Sequence, residues 1–237
     1  MKAKQITTYH VKGEAKTWEK ALAPEDESKN VKMIESNVIN LYPDFAFQTI
    51  EGFGGAMTES SAYLLSRMDE ETQNQALQDI FGPDGLHARF VRVPIDSCDY
   101  SLEEYQAVAD PIADPDLATF SIDRDRKYVL PMLKKAIEIS AEPISVLMSP
   151  WSPYQWKTAP KIAKNDAAVY GAMGMPVPEE IPQRNHGGSL KPEYYGSWAK
   201  YVVKYLQAYL DEGIPVTMLS LQNETVAATT WDSCVWT

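Results

Sequence analysis

Val216-Thr217-Met218-Leu219-Ser220-Leu221-Gln222-Asn223-Glu224 is the stretch on which the reading of this chain turns. Its first six residues form an apolar run of strand length. The run ends on two amides and a carboxylate. A Glu at the point where a buried strand surfaces can lend a proton to a glycosidic oxygen and take it back. The neighbouring Asn can hydrogen-bond a ring hydroxyl, a bond that tightens as an oxocarbenium-like transition state forms. Taken alone, the pair reads equally well as a solvated carboxylate beside a turn residue. The company kept at other strand ends decides between the two.

Upstream of this run, Pro192 opens an amphipathic helix that Gly213 closes. Tyr195, Trp198, Ala199, Val202, Val203, Leu206 and Leu210 fall on its apolar stripe. Further back, Ile144 to Met148 reads as a strand, and Tyr128 to Ile139 as a helix with Pro131 in its first turn. Arg89-Phe90-Val91-Arg92-Val93 is another strand. Helices are expected from Thr58 through Met68 and from Glu70 to Phe81, the second stopped by Gly82-Pro83. Phe47 to Phe53 is expected to be the first strand of the series.

This alternation predicts an α/β fold with a parallel sheet and crossover helices. Two architectures compete, an open doubly wound sheet and a (β/α)8 barrel. Gly52-Phe53-Gly54-Gly55 lacks the spacing of a dinucleotide-binding loop. The residues capable of chemistry lie beyond the C-terminal ends of four different strands, as in barrel enzymes. About four strand–helix units are present, half of what a barrel needs. Residues 46–237 are read as this half barrel. Residues 1–45 are polar, with β-prone pieces at Gln5 to Tyr9 and Val38 to Leu41 around a charged stretch from Glu25 to Lys32, and are read as strands of a small β subdomain.

The chain has 237 residues, 44% of them hydrophobic, enough for a sizeable core. Its formal net charge of −11 disfavours nucleic acid and anionic membrane surfaces as partners and is compatible with a neutral sugar. No apolar stretch is long enough to span a bilayer, and no apolar segment follows Met1-Lys2-Ala3-Lys4-Gln5 as in a secretory signal, so a cytoplasmic location is expected. Cys98 and Cys234 make no disulfide framework, and His10, His87 and His186 lack ligand spacing, so no metal is expected.

Other strand ends supply further candidates. Arg92-Val93-Pro94-Ile95-Asp96-Ser97-Cys98-Asp99-Tyr100 carries charges that either pair with one another or bind a ligand. Asp99 is suited to accept two sugar hydroxyls, and Arg92 to hold Glu224 or the substrate. Ser149-Pro150-Trp151-Ser152-Pro153 is a stiff loop whose indole is either a sugar platform or a core tryptophan. The segment from Ser149 to Leu190 is too long for a plain connector, which marks a functional loop.

These residues carry a resemblance. Gly52-Phe53-Gly54-Gly55-Ala56-Met57-Thr58, the Arg92 to Tyr100 and Ser149 to Pro153 segments, His186-Gly187-Gly188, Leu190-Lys191-Pro192-Glu193-Tyr194-Tyr195 and Gln222-Asn223-Glu224 resemble, in order, motifs of the glucosylceramidase family, glycoside hydrolase family 30. The resemblance implies a retaining β-glycosidase on a (β/α)8 TIM-type barrel with an accessory β-sandwich, of which this chain holds the N-terminal half of the barrel and N-terminal sandwich strands. It places the general acid/base on Glu224 and the amide that meets the 2-hydroxyl on Asn223. It puts Asp99 and Trp151 at the terminal sugar and Arg92 in support of the acid/base. The implied substrate is glucosylceramide or another β-glucoside; a xylanase or β-1,6-glucanase activity belongs to the same class, and a non-catalytic carbohydrate binder is the alternative outside it. No cofactor is implied.

There are departures. Thr225 stands where the family has Pro, Tyr154-Gln155-Trp156-Lys157-Thr158 is shorter than usual, and Trp236 replaces a smaller aromatic. The family's nucleophile is a Glu on the seventh strand, and no residue here matches it. Four parallel strands also leave open edges, through which a second copy or another polypeptide can pair, and a fragment of a longer enzyme is the simplest reading.

Overall fold

The computed structural model describes residues 3–11, 14–22, 42, 44–157, 187–229 and 231–236. The chain divides into two compact units, Met1–Ile50 and Glu51–Thr237. In the first, β1 (Ala3–Val11) and β2 (Glu14–Leu22) form an antiparallel hairpin from Ala3↔Leu22 to Val11↔Glu14. The strand expected at Gln5 to Tyr9 lies within β1. β2 is rich in Lys and Glu and has no apolar alternation to announce it. It is held by the backbone ladder and by cross-strand pairs such as Thr8 with Thr17, 3.1 Å apart, and Lys4 with Glu19 at 2.8 Å. The strand expected at Val38 to Leu41 and the charged stretch before it lie outside the described residues.

The second unit is built on β3 (Gly54–Ala56), β4 (Phe90–Ile95), β5 (Ser145–Pro150) and β6 (Val216–Leu219). All neighbours pair in parallel, in the order β3-β4-β5-β6. Spatial order follows chain order without the reversal that defines a doubly wound sheet, so the barrel reading holds. The crossovers are α1 (Glu59–Ser66) with α2 (Glu70–Phe81), then α3 (Asp123–Lys127) with α4 (Val129–Ile139), then α5 (Tyr195–Asp211). Thr58 and Ser61 cap α1 reciprocally, and Asp69 caps α2 by accepting from the Thr72 amide at 2.9 Å.

Val91, Val93 and Ile95 of β4 and Val146 and Met148 of β5 face the helices. They pack with Leu77, Leu130, Leu133 and Ala136 in one apolar cluster. Each large aliphatic side chain buried there contributes about 1.5–3 kcal/mol. The other face of β4 carries Arg92, in register with Leu147 of β5.

Two expectations need correction. The first strand is not Phe47 to Phe53: residues 45–53 have no regular structure, and pairing starts at Gly54. Phe47, Ile50 and Phe53 are exposed, so their apolar pattern does not mark a buried face. A strand forms where a neighbouring backbone is in reach. Gly54 comes so near β4 that a Cβ would lie 1.7 Å from the Phe90 carbonyl oxygen, a contact only glycine permits.

The second correction concerns α5. Tyr195 (55%), Val203 (63%) and Leu210 (47%) are exposed, while Trp198, Tyr201, Val202, Tyr205 and Tyr209 are buried. The helix is turned towards its tyrosine edge because two buried acids lie there. Tyr201 Oη donates to Asp96 at 2.6 Å; Tyr205 and Tyr209 donate to Asp125 at 2.6 and 2.8 Å. Tyr105 adds a third hydroxyl to Asp125 at 3.1 Å.

Candidate active site

Three strand ends converge on one guanidinium. Arg92 lies on β4, on the face away from the helix layer. Its Nη2 donates to Ser149 Oγ at 3.0 Å and to Asn223 Oδ1 at 2.7 Å. The guanidinium carbon stands 4.3 Å from the centre of the Trp151 ring, a cation–π contact. Arg92 thus joins the ends of β4, β5 and β6. Burial lowers its pKa, and Cys98, Asp99 and Glu224 oppose that shift through their charge, which places both carboxylates in its field.

Arginine can only donate, so Asn223 must turn Oδ1 towards it. Its Nδ2 then points away as a donor. The Asn223 backbone is pinned by its amide bonding to the Pro150 carbonyl at 2.8 Å. Glu224 is exposed and has a φ of +46°, left-handed for a residue with a side chain. Asp99 is exposed beyond the end of β4. Trp151 is only 6% exposed, with Arg92 over its ring. Of the five side chains that sequence reasoning nominates, Arg92, Trp151 and Asn223 are in contact, and Asp99 and Glu224 act on Arg92 through their charge. Arg92 holds Asn223 by a direct bond rather than Glu224.

Two other acids on this side are committed to the fold. Glu59 is buried, accepting from Arg124 Nε at 2.7 Å and from the Leu102 amide at 2.8 Å. Asp96 Oδ1 accepts from Tyr201 and from the Ala107 amide at 2.9 Å. Burial pushes the Cys98 thiol up to about 11, which suits a small core residue and not a nucleophile. Among the described residues, no group of three His, Cys, Asp or Glu side chains is arranged to hold a metal ion. Most of the long loop after β5, residues 158–186 with His186, lies outside the described residues. Sequence reasoning misses Ser149 as a partner of Arg92; its signal is the period of two along paired strands, which puts both on one face.

Burial raises the Asp96 pKa to about 8, with the Tyr201 and Ala107 bonds opposing. A folded value above the unfolded one, about 3.9, means that the native state binds the extra proton. The stability from this group is complete below the unfolded value and is lost as pH rises through the folded one. Asp125 shifts the same way, also through burial. Asp96→Asn keeps the Oδ1 acceptor and is expected to reduce, though not abolish, the fall in melting temperature between pH 5 and pH 8. Thermal melts at the two pH values check this; an unchanged fall would mean that Asp96 is ionised throughout.

A parallel α/β half barrel with an amide, carboxylates, a guanidinium and an indole at its strand ends is the arrangement on which barrel enzymes build a site. Residues 50–234 match the glycosyl hydrolase family 30 TIM-barrel domain, and the chain belongs to that family. It is similar to the lysosomal acid glucosylceramidase of Mus musculus, 32% identical over 195 residues, covering 80% of this chain and 34% of the relative. Among solved structures it is similar to SrfJ from Salmonella typhimurium, with a TM-score of 0.72 and 32% identity, covering 100% of this chain and 47% of that one. The endo-beta1,6-glucanase BT3312 superimposes with a TM-score of 0.66 and 28% identity, covering 83% of this chain and 39% of that one. The chain thus spans about a third of the curated relative and about half of the first structure. No helix among the described residues is long and apolar enough to cross a membrane.

Proposed function

We propose that this chain carries the acid/base side of a retaining β-glycosidase site that acts on a β-glucoside. The observation that carries the reading is the Arg92 guanidinium, which gathers Asn223 and Trp151 beside Glu224. Glu224 donates its proton to the glycosidic oxygen as the bond to the anomeric carbon breaks, and the aglycone leaves as an alcohol. It then takes a proton from the water that attacks the glycosyl-enzyme, which restores the acid. Asn223 Nδ2 donates to the 2-hydroxyl, and Asp99 and Trp151 hold the terminal sugar. The covalent step requires a second carboxyl about 5–5.5 Å from Glu224. Among the described residues, Glu59 and Asp96 are bound up in the fold and are not free to serve as that group. The mouse relative's name points to glucosylceramide, and the glucanase to a β-1,6-glucan.

The commitment of Glu59 and Asp96 also favours a second reading, in which this chain alone binds sugar without turning it over. Glu224→Gln tests the acid role. Hydrolysis of a phenyl β-glucoside is expected to fall at least about 100-fold, and that of a 2,4-dinitrophenyl β-glucoside much less, because the activated phenol leaves without help. Equal losses on both substrates would argue against general acid catalysis. Sugar binding without turnover in the wild type would favour the binder.

A further inference from the structure

We propose that Gln222 is a positioning residue for Glu224 and that Trp236 keeps its amide in the required orientation. The proposal rests on Glu224 being the acid/base. Gln222 is buried, and both ends of its carboxamide are committed. Nε2 donates to the Trp151 carbonyl at 2.8 Å and to the Asn223 carbonyl at 2.9 Å. Oε1 accepts from Trp236 Nε1 at 3.0 Å. The amide cannot flip: reversal would set its oxygen against two carbonyl oxygens and its N–H groups against the indole N–H.

Glu224 needs such a brace because its backbone is left-handed, a conformation that a residue with a Cβ adopts only when its surroundings impose it. Four further or shared bonds hold the turn. The Asn223 amide donates to Pro150, and the Asn223 carbonyl accepts from Gln222. The Glu224 carbonyl accepts from the Ala227 amide at 2.8 Å, and the Thr225 carbonyl from the Trp236 amide at 2.8 Å. Gln222 and Trp236 therefore grip the chain on both sides of Glu224 and are bonded to each other. A carboxyl displaced by an ångström transfers its proton poorly, while Asp99, which is not bonded to Gln222 or Trp236, keeps its place at the sugar.

The test compares the full chain with Gln222→Met, which keeps the length and removes the hydrogen bonds, and with Trp236→Phe, the milder change that removes only the indole N–H. In both, hydrolysis of the phenyl β-glucoside is expected to fall about tenfold more than that of the dinitrophenyl β-glucoside, and azide to restore the latter. Equal losses without azide rescue would overturn the proposal, since a merely structural role weakens both substrates alike. If the wild type cleaves neither substrate, the hydrolase reading of the isolated chain fails, and the brace is read separately by amide hydrogen exchange. The Ala227 amide, which neither side chain touches, is then expected to exchange about tenfold faster in both variants with α5 unchanged. Unchanged exchange at Ala227 would overturn the brace itself. Should Gln222→Met fail to fold, Trp236→Phe gives the same readings.

Discussion

Arg92→Met is expected to weaken the binding of a glucose-like iminosugar by about 100-fold, roughly 3 kcal/mol. The loss has three parts. Asn223 Oδ1 and Ser149 Oγ lose the donor that bonds them at 2.7 and 3.0 Å. Without a donor opposite Oδ1, nothing selects between the two orientations of the Asn223 amide, and half of them turn the oxygen towards the sugar. Trp151 loses the cation over its ring. Met fills most of the volume, so the effect is chemical rather than a cavity. Arg92→Lys restores the charge but not the planar fork, and is expected to fall between wild type and Met. Calorimetric titration of the three proteins measures the series; equal affinities would mean that Arg92 is a structural charge with no part in sugar recognition.

The second large effect concerns stability. Asp125→Ala is expected to cost about 3–5 kcal/mol, because it strips three buried tyrosine hydroxyls of their acceptor at once. Tyr105, Tyr205 and Tyr209 all donate to this one carboxyl group. For a chain of this size the melting temperature should drop by about 10 °C. Tyr205→Phe removes one donor and leaves the acid with two others, so about 1 kcal/mol is expected there. Urea titration of the two variants separates the cases. A small effect at Asp125 would mean that water enters to replace the carboxyl.

Much of this was legible in the sequence, and the failures have physical causes. α2 runs from Glu70 to Phe81 as its acidic start and Gly82-Pro83 stop indicate, because caps and breakers act locally. The sequential parallel order follows from alternation and from where the polar residues fall. The expectation for β3 fails because strand pairing is decided by the partner, and only Gly54–Ala56 is in register with Phe90 to Arg92. The apolar stripe does not mark the buried face of α5, because buried carboxylates draw tyrosines inward and an apolar pattern does not show them. Here Tyr201, Tyr205 and Tyr209 recur every fourth residue, and their acceptors come from Asp96 and Asp125, far away in sequence. Arg92, Asp99, Trp151, Asn223 and Glu224 are nominated together, because charged, amide and indole side chains recur at successive strand ends. Ser149 and the bracing amide of Gln222 do not, since a common polar residue gains its meaning only from the partner it meets.

The most direct test of the sugar site is a nitrogen-15 NMR titration of the purified chain with a glucose-like iminosugar. Saturable shifts are expected together at Asp99, Trp151, Asn223 and Glu224, with the Arg92 side chain moving at the same midpoint. A folded chain that shows no shifts, or shifts gathered elsewhere, such as on the exposed face of α2, would mean that these strand ends do not form a sugar site.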